Sequence, residues 1–235
     1  MNFKAILFDL DGTLLPLEFN DFMPGYFGSL QAFFAADFAD GALTDLIIKS
    51  TDAMVSNDGS RSNADAFWED FAVRLKKTRA ELEPRFEEFY RVEFGMLGKD
   101  VGLWPEAGDV VTAARTAGAK VVCATNPVFP LAAVEHRLGW AGVSPIAFDL
   151  ITDYENMRFS KPNPGYYRQI AEMLGVDPRE CLMVGNDVAL DLDPARQAGM
   201  MTYMVSSPYS VYADGFAPDY EGALKDLPRL LSRPE

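Results

Sequence analysis

The sequence has few of the side chains on which disulfide frameworks and zinc sites are built. It contains two cysteines, Cys123 and Cys181, and a single histidine, His136, in 235 residues. Two cysteines are too few for a disulfide framework or a four-ligand zinc site, and each lies in an apolar run that is typical of a buried strand. No partner motif surrounds His136. Catalysis by this chain must therefore rely on carboxylates, hydroxyls and lysine.

Basic residues and long apolar runs are also scarce. The chain has 21 Lys and Arg residues against 35 Asp and Glu, which gives a net charge of −14. Nucleic acid and anionic membranes bind clustered Lys and Arg, so we expect neither as a partner, whereas the oligomeric state stays open. No stretch approaches the ~18 uninterrupted apolar residues of a membrane span. The apolar run at the N-terminus is too short for a targeting segment, and we predict a cytoplasmic protein.

The spacing of apolar residues changes twice along the chain. Residues 3–8 form a short, β-prone run, whereas residues 16–102 show helical spacing, with Phe22 and Tyr26 on one predicted face. Later in the chain, short apolar runs alternate with helical segments, which is typical of a doubly wound parallel sheet. We therefore predict an α/β fold with an inserted all-helical cap domain. The predicted core domain comprises residues 1–15 and 103–235, and the predicted cap comprises residues 16–102.

Local motifs predict where several helices begin. Thr78 followed by Glu81 is a capping box. Asp193 precedes Pro194, and these residue types are favoured at the N-cap and at the first helical position. Pro105 predicts the start of another helix in the same way. The chain is therefore expected to begin helices at these three places.

Polar side chains follow four of the predicted strands. In chain order they are Asp9 and Asp11, then Thr125 and Asn126, then Lys161, and last Asp187 and Asp191. The carboxyl ends of parallel strands form the ligand-binding edge of such a sheet. Crowded carboxylates favour a hard cation, and ligation by oxygen alone favours Mg²⁺. One carboxylate can attack phosphorus, a second can transfer protons, and lysine and threonine can hold phosphoryl oxygens.

The same segments resemble the motifs of a known family. "FDLDGTL", "ATN", "SKPNPGYY" and "VGNDVALDLDPARQAGM" are similar, in this order, to the four motifs of the haloacid dehalogenase-like hydrolases. The resemblance implies that Asp9 is the nucleophile and Asp11 the general acid and base. It implies that Asp9, the backbone carbonyl of Asp11 and Asp187 bind Mg²⁺, with Asp191 supporting the metal. It also implies that Thr125, Asn126 and Lys161 bind the phosphoryl group. The fourth motif reads "GND" where many members have "GD", so the direct metal ligand stays open among Asn186, Asp187 and Asp191.

These observations predict a magnesium-dependent phosphohydrolase that cleaves a small phosphorylated metabolite through an aspartyl phosphate. A phosphomutase would need the same core and stays open. A phospho-receiver module would carry its acceptor aspartate in mid-chain, and a non-catalytic binding protein would not need the catalytic positions. A dehalogenase would not need the acid at Asp11. Specificity is expected from the cap, where Arg61 is a candidate contact to an anionic substrate, with an ordinary surface position as the alternative.

Overall fold

The computed structural model describes residues 3–38 and 41–232, and a parallel sheet lies at the centre of the molecule. Its strands are β1 (Ala5–Phe8), β2 (Lys120–Cys123), β3 (Leu150–Ile151), β4 (Cys181–Gly185), β5 (Met201–Val205) and β6 (Tyr220–Gly222). The strand order is β3-β2-β1-β4-β5-β6, and each neighbouring pair is parallel. The predicted parallel sheet is confirmed.

The central strand β1 is buried on both faces. Ile6 and Phe8 lie in one apolar cluster, and Ala5 and Leu7 lie in a second one, because successive side chains of a strand point to opposite faces. A strand of this kind is a continuous apolar run in the sequence. Because β1 pairs with both β2 and β4, the winding of the chain reverses beside it. Ligands of doubly wound sheets bind at the carboxyl ends of the strands next to such a reversal.

Helices cover both faces of this sheet. The α-helices are α1 (Phe19–Phe33), α2 (Ala42–Val55), α3 (Asn63–Leu75), α4 (Arg79–Val92), α5 (Ala107–Thr116), α6 (Leu131–Trp140), α7 (Pro164–Leu174), α8 (Asp193–Gln197) and α9 (Leu227–Leu231). Val110 of α5 and Leu138 of α6 lie in the cluster that contains Ile6. Ile170 of α7 and Ala195 of α8 lie in the other cluster. None of the helices in the described ranges has the length and apolarity that crossing a bilayer requires.

The insertion after β1 is helical, as predicted. Helices α1 to α4 follow one another between β1 and α5, and their buried face is rich in aromatic rings. The rings of Phe71 and Phe86, on α3 and α4, meet edge to face with centroids 5.5 Å apart. Aromatic contacts of this geometry stabilise a core beyond the burial of their apolar area. The predicted capping box is also present, because the backbone N–H of Thr78 donates to Glu81 Oε2 at 2.7 Å.

The apolar cluster on one side of the sheet continues into the helical insertion. Phe94, which follows α4, stacks on Trp140 of α6 with ring centroids 5.6 Å apart. Phe22 of α1 lies 5.9 Å from the same Trp140 ring. The insertion and the sheet therefore share buried contacts, and the division of the chain at residues 15 and 103 stays a prediction.

Two predicted helix starts are wrong. Helix α5 begins at Ala107, because residues 105 and 106 form a turn before it. Asp193 is not an N-cap, because a π-helical turn, Val188–Leu192, leads directly into α8. The residue that caps this helical run is Asp187, whose side chain accepts from the backbone N–H groups of Ala189 and Leu190. The helical run therefore begins earlier than the Asp-Pro pair suggested.

Candidate active site

Asp9 and Asp11 lie in the loop at the carboxyl end of β1. The hydrogen-bond pattern of the sheet extends to Asp9, whose backbone N–H donates to the carbonyl of Val184 at 2.9 Å. Leu10 between them is fully buried in the apolar cluster. The two carboxylates therefore reach the same pocket, as the alternation of side chains along a strand predicts.

Gly12 and Thr13 join this loop to the loop after β4. Gly12 has φ +84°, and a Cβ atom at this position would lie 2.5 Å from Asn186 Nδ2. Glycine is therefore required both by the left-handed backbone and by the close approach of a side chain. Thr13 is buried, and its hydroxyl donates to Asn186 Oδ1 at 2.9 Å. Segments far apart in sequence are held in one fixed geometry.

Lys161 lies between two of the predicted carboxylates. Its Nζ atom is 2.7 Å from Asp9 Oδ1 and 2.6 Å from Asp191 Oδ1, and its side chain is 2% exposed. Burial alone would lower the pKa of Lys161, but the nearby carboxylates Asp191 and Asp9 raise it well above its ordinary value. The lysine is therefore a fixed positive charge directly beside the candidate nucleophile.

The loop after β4 holds its two aspartates through backbone hydrogen bonds. Asp191 Oδ2 accepts from the backbone N–H groups of Asn186 and Asp187, both at 3.2 Å. A Cβ atom at Gly185 would lie 2.4 Å from the same oxygen, so this carboxylate needs a glycine beneath it. Asp187 Oδ1 accepts from the N–H groups of Ala189 and Leu190 at 2.7 and 2.9 Å. Both carboxylates are thus hydrogen-bonded to the backbone of their own loop.

Thr125 and Asn126 follow β2 and reach the same pocket. Thr125 is buried, and its carbonyl accepts from the hydroxyls of Thr152 and Tyr166 at 2.9 and 2.8 Å. The side chain of Asn126 accepts from the backbone N–H of Lys161 at 3.2 Å. Asn126 therefore connects the loop after β2 to the segment that carries the lysine.

One pocket of about 420 Å³ collects all the predicted site residues. They are Asp9, Asp11, Thr125, Asn126, Lys161, Asp187 and Asp191. Glu18 adds a fifth carboxylate to the lining, whereas Lys161 and Arg137 are the cations among the lining residues that the structure describes. Within residues 3–38 and 41–232, no three His, Cys, Asp or Glu side chains form a ready-made metal-binding group. Negative charge dominates the pocket.

Arg137 of α6, which the sequence motifs do not indicate, also lines the pocket, and its side chain is 1% exposed. Its Nη1 atom donates to Asp11 Oδ2 at 2.5 Å. Arg137 Nε, Arg137 Nη2 and Asp11 Oδ1 are buried without a hydrogen-bond partner, which is costly for charged groups unless a ligand satisfies them. Burial raises the pKa of Asp11, and Arg137 opposes this shift. The sequence does contain one indication of this role, because Arg137 is a charged residue one helical turn after Val134, on the apolar face of α6.

Arg61 does not line this pocket. Its side chain is 46% exposed and forms an ion pair with Glu69 of α3. The nearest cavity that it lines is a separate surface depression. Arg61 was a candidate contact to the substrate or an ordinary surface residue, and this geometry agrees with the surface position.

A comparison with protein families matches most of the chain. The model of a family described as haloacid dehalogenase-like hydrolase matches residues 3–199. The matched segment begins before β1 and ends after α8, so it includes every residue of the predicted site.

Curated relatives and solved structures extend the likeness over nearly the whole chain. Phosphoglycolate phosphatase of Xylella fastidiosa (strain 9a5c) is 28% identical over 232 residues, covering 99% of this chain and 93% of that protein. N-acetylmuramic acid 6-phosphate phosphatase of Pseudomonas aeruginosa is 29% identical over 239 residues, covering 98% and 94%. The crystal structure of 2-haloacid dehalogenase from Pseudomonas syringae pv. Tomato DC3000 matches with a TM-score of 0.67 at 18% identity, covering 98% of both chains. At that identity the structural match shows the fold alone.

Proposed function

The chain belongs to the haloacid dehalogenase-like hydrolases, and on that premise we propose that it is a magnesium-dependent phosphatase. Its substrate would be a small phosphorylated metabolite, and the reaction would pass through a phosphoryl group bound to Asp9. The observation that carries this proposal is the contact between Asp9 and the buried ammonium of Lys161 at 2.7 Å. A second carboxylate, Asp11, stands two residues further along the same loop. Relatives named as phosphatases support the reaction class.

The first step forms a bond between an Asp9 oxygen and phosphorus. The bond between phosphorus and the leaving oxygen breaks, and the leaving oxygen keeps the electron pair of that bond. Lys161 would hold the phosphoryl oxygens beside the nucleophile by charge, and the hydroxyl of Thr125 would donate a hydrogen bond to them. Because both groups are buried and two carboxylates hold the Lys161 ammonium, little reorganisation is needed when charge develops.

Asp11 would supply the proton that the leaving oxygen requires. A raised pKa, as burial produces at Asp11, favours the protonated form that can donate. After the alcohol departs, the Asp11 carboxylate would take a proton from water, and the resulting hydroxide attacks phosphorus of the phosphoaspartate. This second step releases inorganic phosphate and restores Asp9. Arg137 would fix the Asp11 carboxyl through the hydrogen bond to Oδ2.

The donors around the pocket fit magnesium in kind. Carboxylate oxygens outnumber cationic groups in the lining, so a phosphate dianion would be repelled without further positive charge. Asp9, the backbone carbonyl of Asp11 and Asp187 would hold Mg²⁺, with Asp191 supporting them. The bound ion would supply positive charge to the phosphoryl oxygens. Because the described carboxylates do not stand as a preassembled ligand group, some of these side chains would shift when the ion binds.

The alternatives receive no comparable support. A receiver module would be phosphorylated on an aspartate in mid-chain, and Asp149 has that position in the sequence. Its carboxylate accepts from the backbone N–H of Val121 at 2.8 Å, and the described lining of the pocket does not include it. A phosphomutase would use the same core residues, and no contact of the described residues favours it over hydrolysis.

A phosphate-release assay over a panel of phosphomonoesters tests the proposal. We expect release with Mg²⁺, loss of activity in excess chelator and recovery when Mg²⁺ is restored. Asp187→Asn should raise the Mg²⁺ concentration needed for half-maximal recovery, because it removes a ligand charge. Asp149→Asn is the matched control and should recover like the parent protein. Full turnover in chelator, or no release from any ester with Mg²⁺ present, would overturn the proposal.

A further inference from the structure

A second cavity, of about 290 Å³, opens beside the active-site pocket among helices α1 to α4. Its walls are mostly aromatic and aliphatic, and the aromatic part includes Tyr26, Phe67, Trp68, Phe86, Tyr90 and Tyr154. These rings belong to the buried apolar cluster that extends from the sheet into the insertion, and one side of that cluster faces the cavity.

The two cavities adjoin each other. Phe19, Asn126 and Val128 line both of them. Asn126 is also a candidate ligand of the phosphoryl group, so the second cavity begins where the phosphate site ends. A phosphomonoester with its phosphorus at Asp9 would therefore extend its leaving group toward the aromatic walls.

The polar atoms of the aromatic wall are largely used within the protein. The hydroxyls of Tyr26 and Tyr90 are 2.7 Å apart and share a hydrogen bond. Trp68 Nε1 donates to the hydroxyl of Tyr154 at 3.2 Å. These side chains contribute their rings to the wall of the cavity, and the accepting hydroxyl of each pair keeps its own donor proton.

The described part of the wall also lacks a cation that could pair with an anionic leaving group. Among the described residues that line it, Asp52 is the charged one, and it is acidic. A carboxylate in this cavity would be desolvated without a cation to pair with, which is strongly unfavourable. An apolar ring in the same place would bury its surface against side chains of matching character.

We infer that the substrate is a phosphate monoester of an apolar, ring-containing alcohol. This inference rests on the proposed phosphatase function and specifies its substrate class. A cavity of about 150 Å³ lined by Leu, Ile and Phe holds benzene, so the larger cavity accommodates a leaving group of about two fused rings. The inferred substrate differs from phosphoglycolate, the substrate in the names of several relatives. The leaving group of phosphoglycolate is small and carries a carboxylate.

Three esters with alkoxide leaving groups test the inference without a large difference in leaving-group chemistry. They are 2-(1-naphthyl)ethyl phosphate, ethyl phosphate and phosphoglycolate, each assayed with Mg²⁺. We expect kcat/KM for the naphthylethyl ester to exceed that for ethyl phosphate at least about tenfold, because even one methylene in an apolar pocket is worth about that factor. A naphthylethyl ester that is no better than ethyl phosphate, or that is surpassed by phosphoglycolate, would overturn the inference.

A pair of variants locates the preference in this cavity. Val55, at the end of α2, lines the cavity and is 44% exposed, so Val55→Arg can introduce a cation with little cost in folding. Val73 of α3 is 77% exposed and does not contribute to the described lining, which makes Val73→Arg the control. The ratio of kcat/KM between the naphthylethyl and ethyl esters should fall at least about fivefold in Val55→Arg only. An equal ratio in both variants would contradict the assignment.

Binding of the product alcohol separates failure of the inference from failure of the proposed function. 2-(1-Naphthyl)ethanol should bind the parent protein in excess chelator, where no turnover occurs, and its affinity should fall in Val55→Arg but not in Val73→Arg. If no ester releases phosphate but the alcohol binds in this way, the proposed function fails while the apolar cavity remains. If ethyl phosphate is cleaved but the alcohol does not bind, only the inferred substrate class is overturned.

Discussion

The two adjoining cavities differ in the chemical character of their linings. The pocket at the carboxyl edge of the sheet contains the charged and polar side chains that follow strands, and backbone N–H groups or buried partners hold several of them. The cavity among helices α1 to α4 is lined by large apolar side chains whose polar atoms pair with one another. The first arrangement suits a reaction that develops charge, and the second suits recognition of an apolar group. In the proposed function, the first cavity carries the chemical step and the second selects the leaving group.

The strongest test of this comparison is Asp9→Asn. The substitution keeps the shape of the side chain but removes the nucleophilic carboxylate, so kcat should fall by roughly 10⁴-fold or more for every ester. The fold, measured by circular dichroism and thermal unfolding, should be retained. Asp149→Asn should keep activity close to that of the parent protein. Wild-type rates in Asp9→Asn would show that another group is the nucleophile.

Asp11→Asn should have the next largest effect. Loss of a general acid and base lowers kcat by roughly 10²–10⁴-fold. With acetyl phosphate, whose leaving group needs no proton, the first step should survive better than the second. Phosphate should then accumulate on Asp9 and appear as an added phosphoryl mass after rapid acid quench. A phosphoryl group on Asp149 or Asp187 would contradict the assignment of roles.

Arg137 should influence kcat through Asp11. A hydrogen bond to a charged group is worth about 1.5–3 kcal/mol, so Arg137→Leu should lower kcat by roughly 10- to 100-fold with a smaller change in KM. Arg137→Lys should recover part of the loss, because it restores the positive charge. In an Asp11→Asn background, Arg137→Leu should cost little more kcat. Additive losses in the double variant would mean that Arg137 acts independently of Asp11.

The smallest expected effect concerns the chain segments that join the helical insertion to the predicted core domain. If residues 16–102 form a unit that moves against the core, limited proteolysis should cut first at residues 15–18 or 98–102. Lys99 is exposed and offers a trypsin site in the second segment. Lys99→Gln should remove that cut while leaving the rate of phosphate release unchanged. First cuts inside α3 or α4 would argue against the two-unit division.

The strands and the polar residues after them could be predicted because both are local features. The run that became β1 is apolar throughout, and Asp9 and Asp11 follow it directly. Parallel topology then brings residues from distant motifs to one edge of the sheet without further information. Helix starts were less predictable. Asp193 had the right local chemistry for an N-cap, but the helical run had already begun after Asp187, which a local motif does not register.

The sequence by itself determined the fold class, because strand and helix patterns are local, and the order of four motifs predicted seven candidate site residues, which the structure brings to one pocket. Only the tertiary structure decided the pairing of Arg137 with Asp11, since the partners are 126 positions apart and their contact depends on how α6 packs. The aromatic cavity also belongs to the tertiary structure. Helical spacing shows which rings face inward, but whether rings on different helices close against one another or enclose a space depends on how those helices pack.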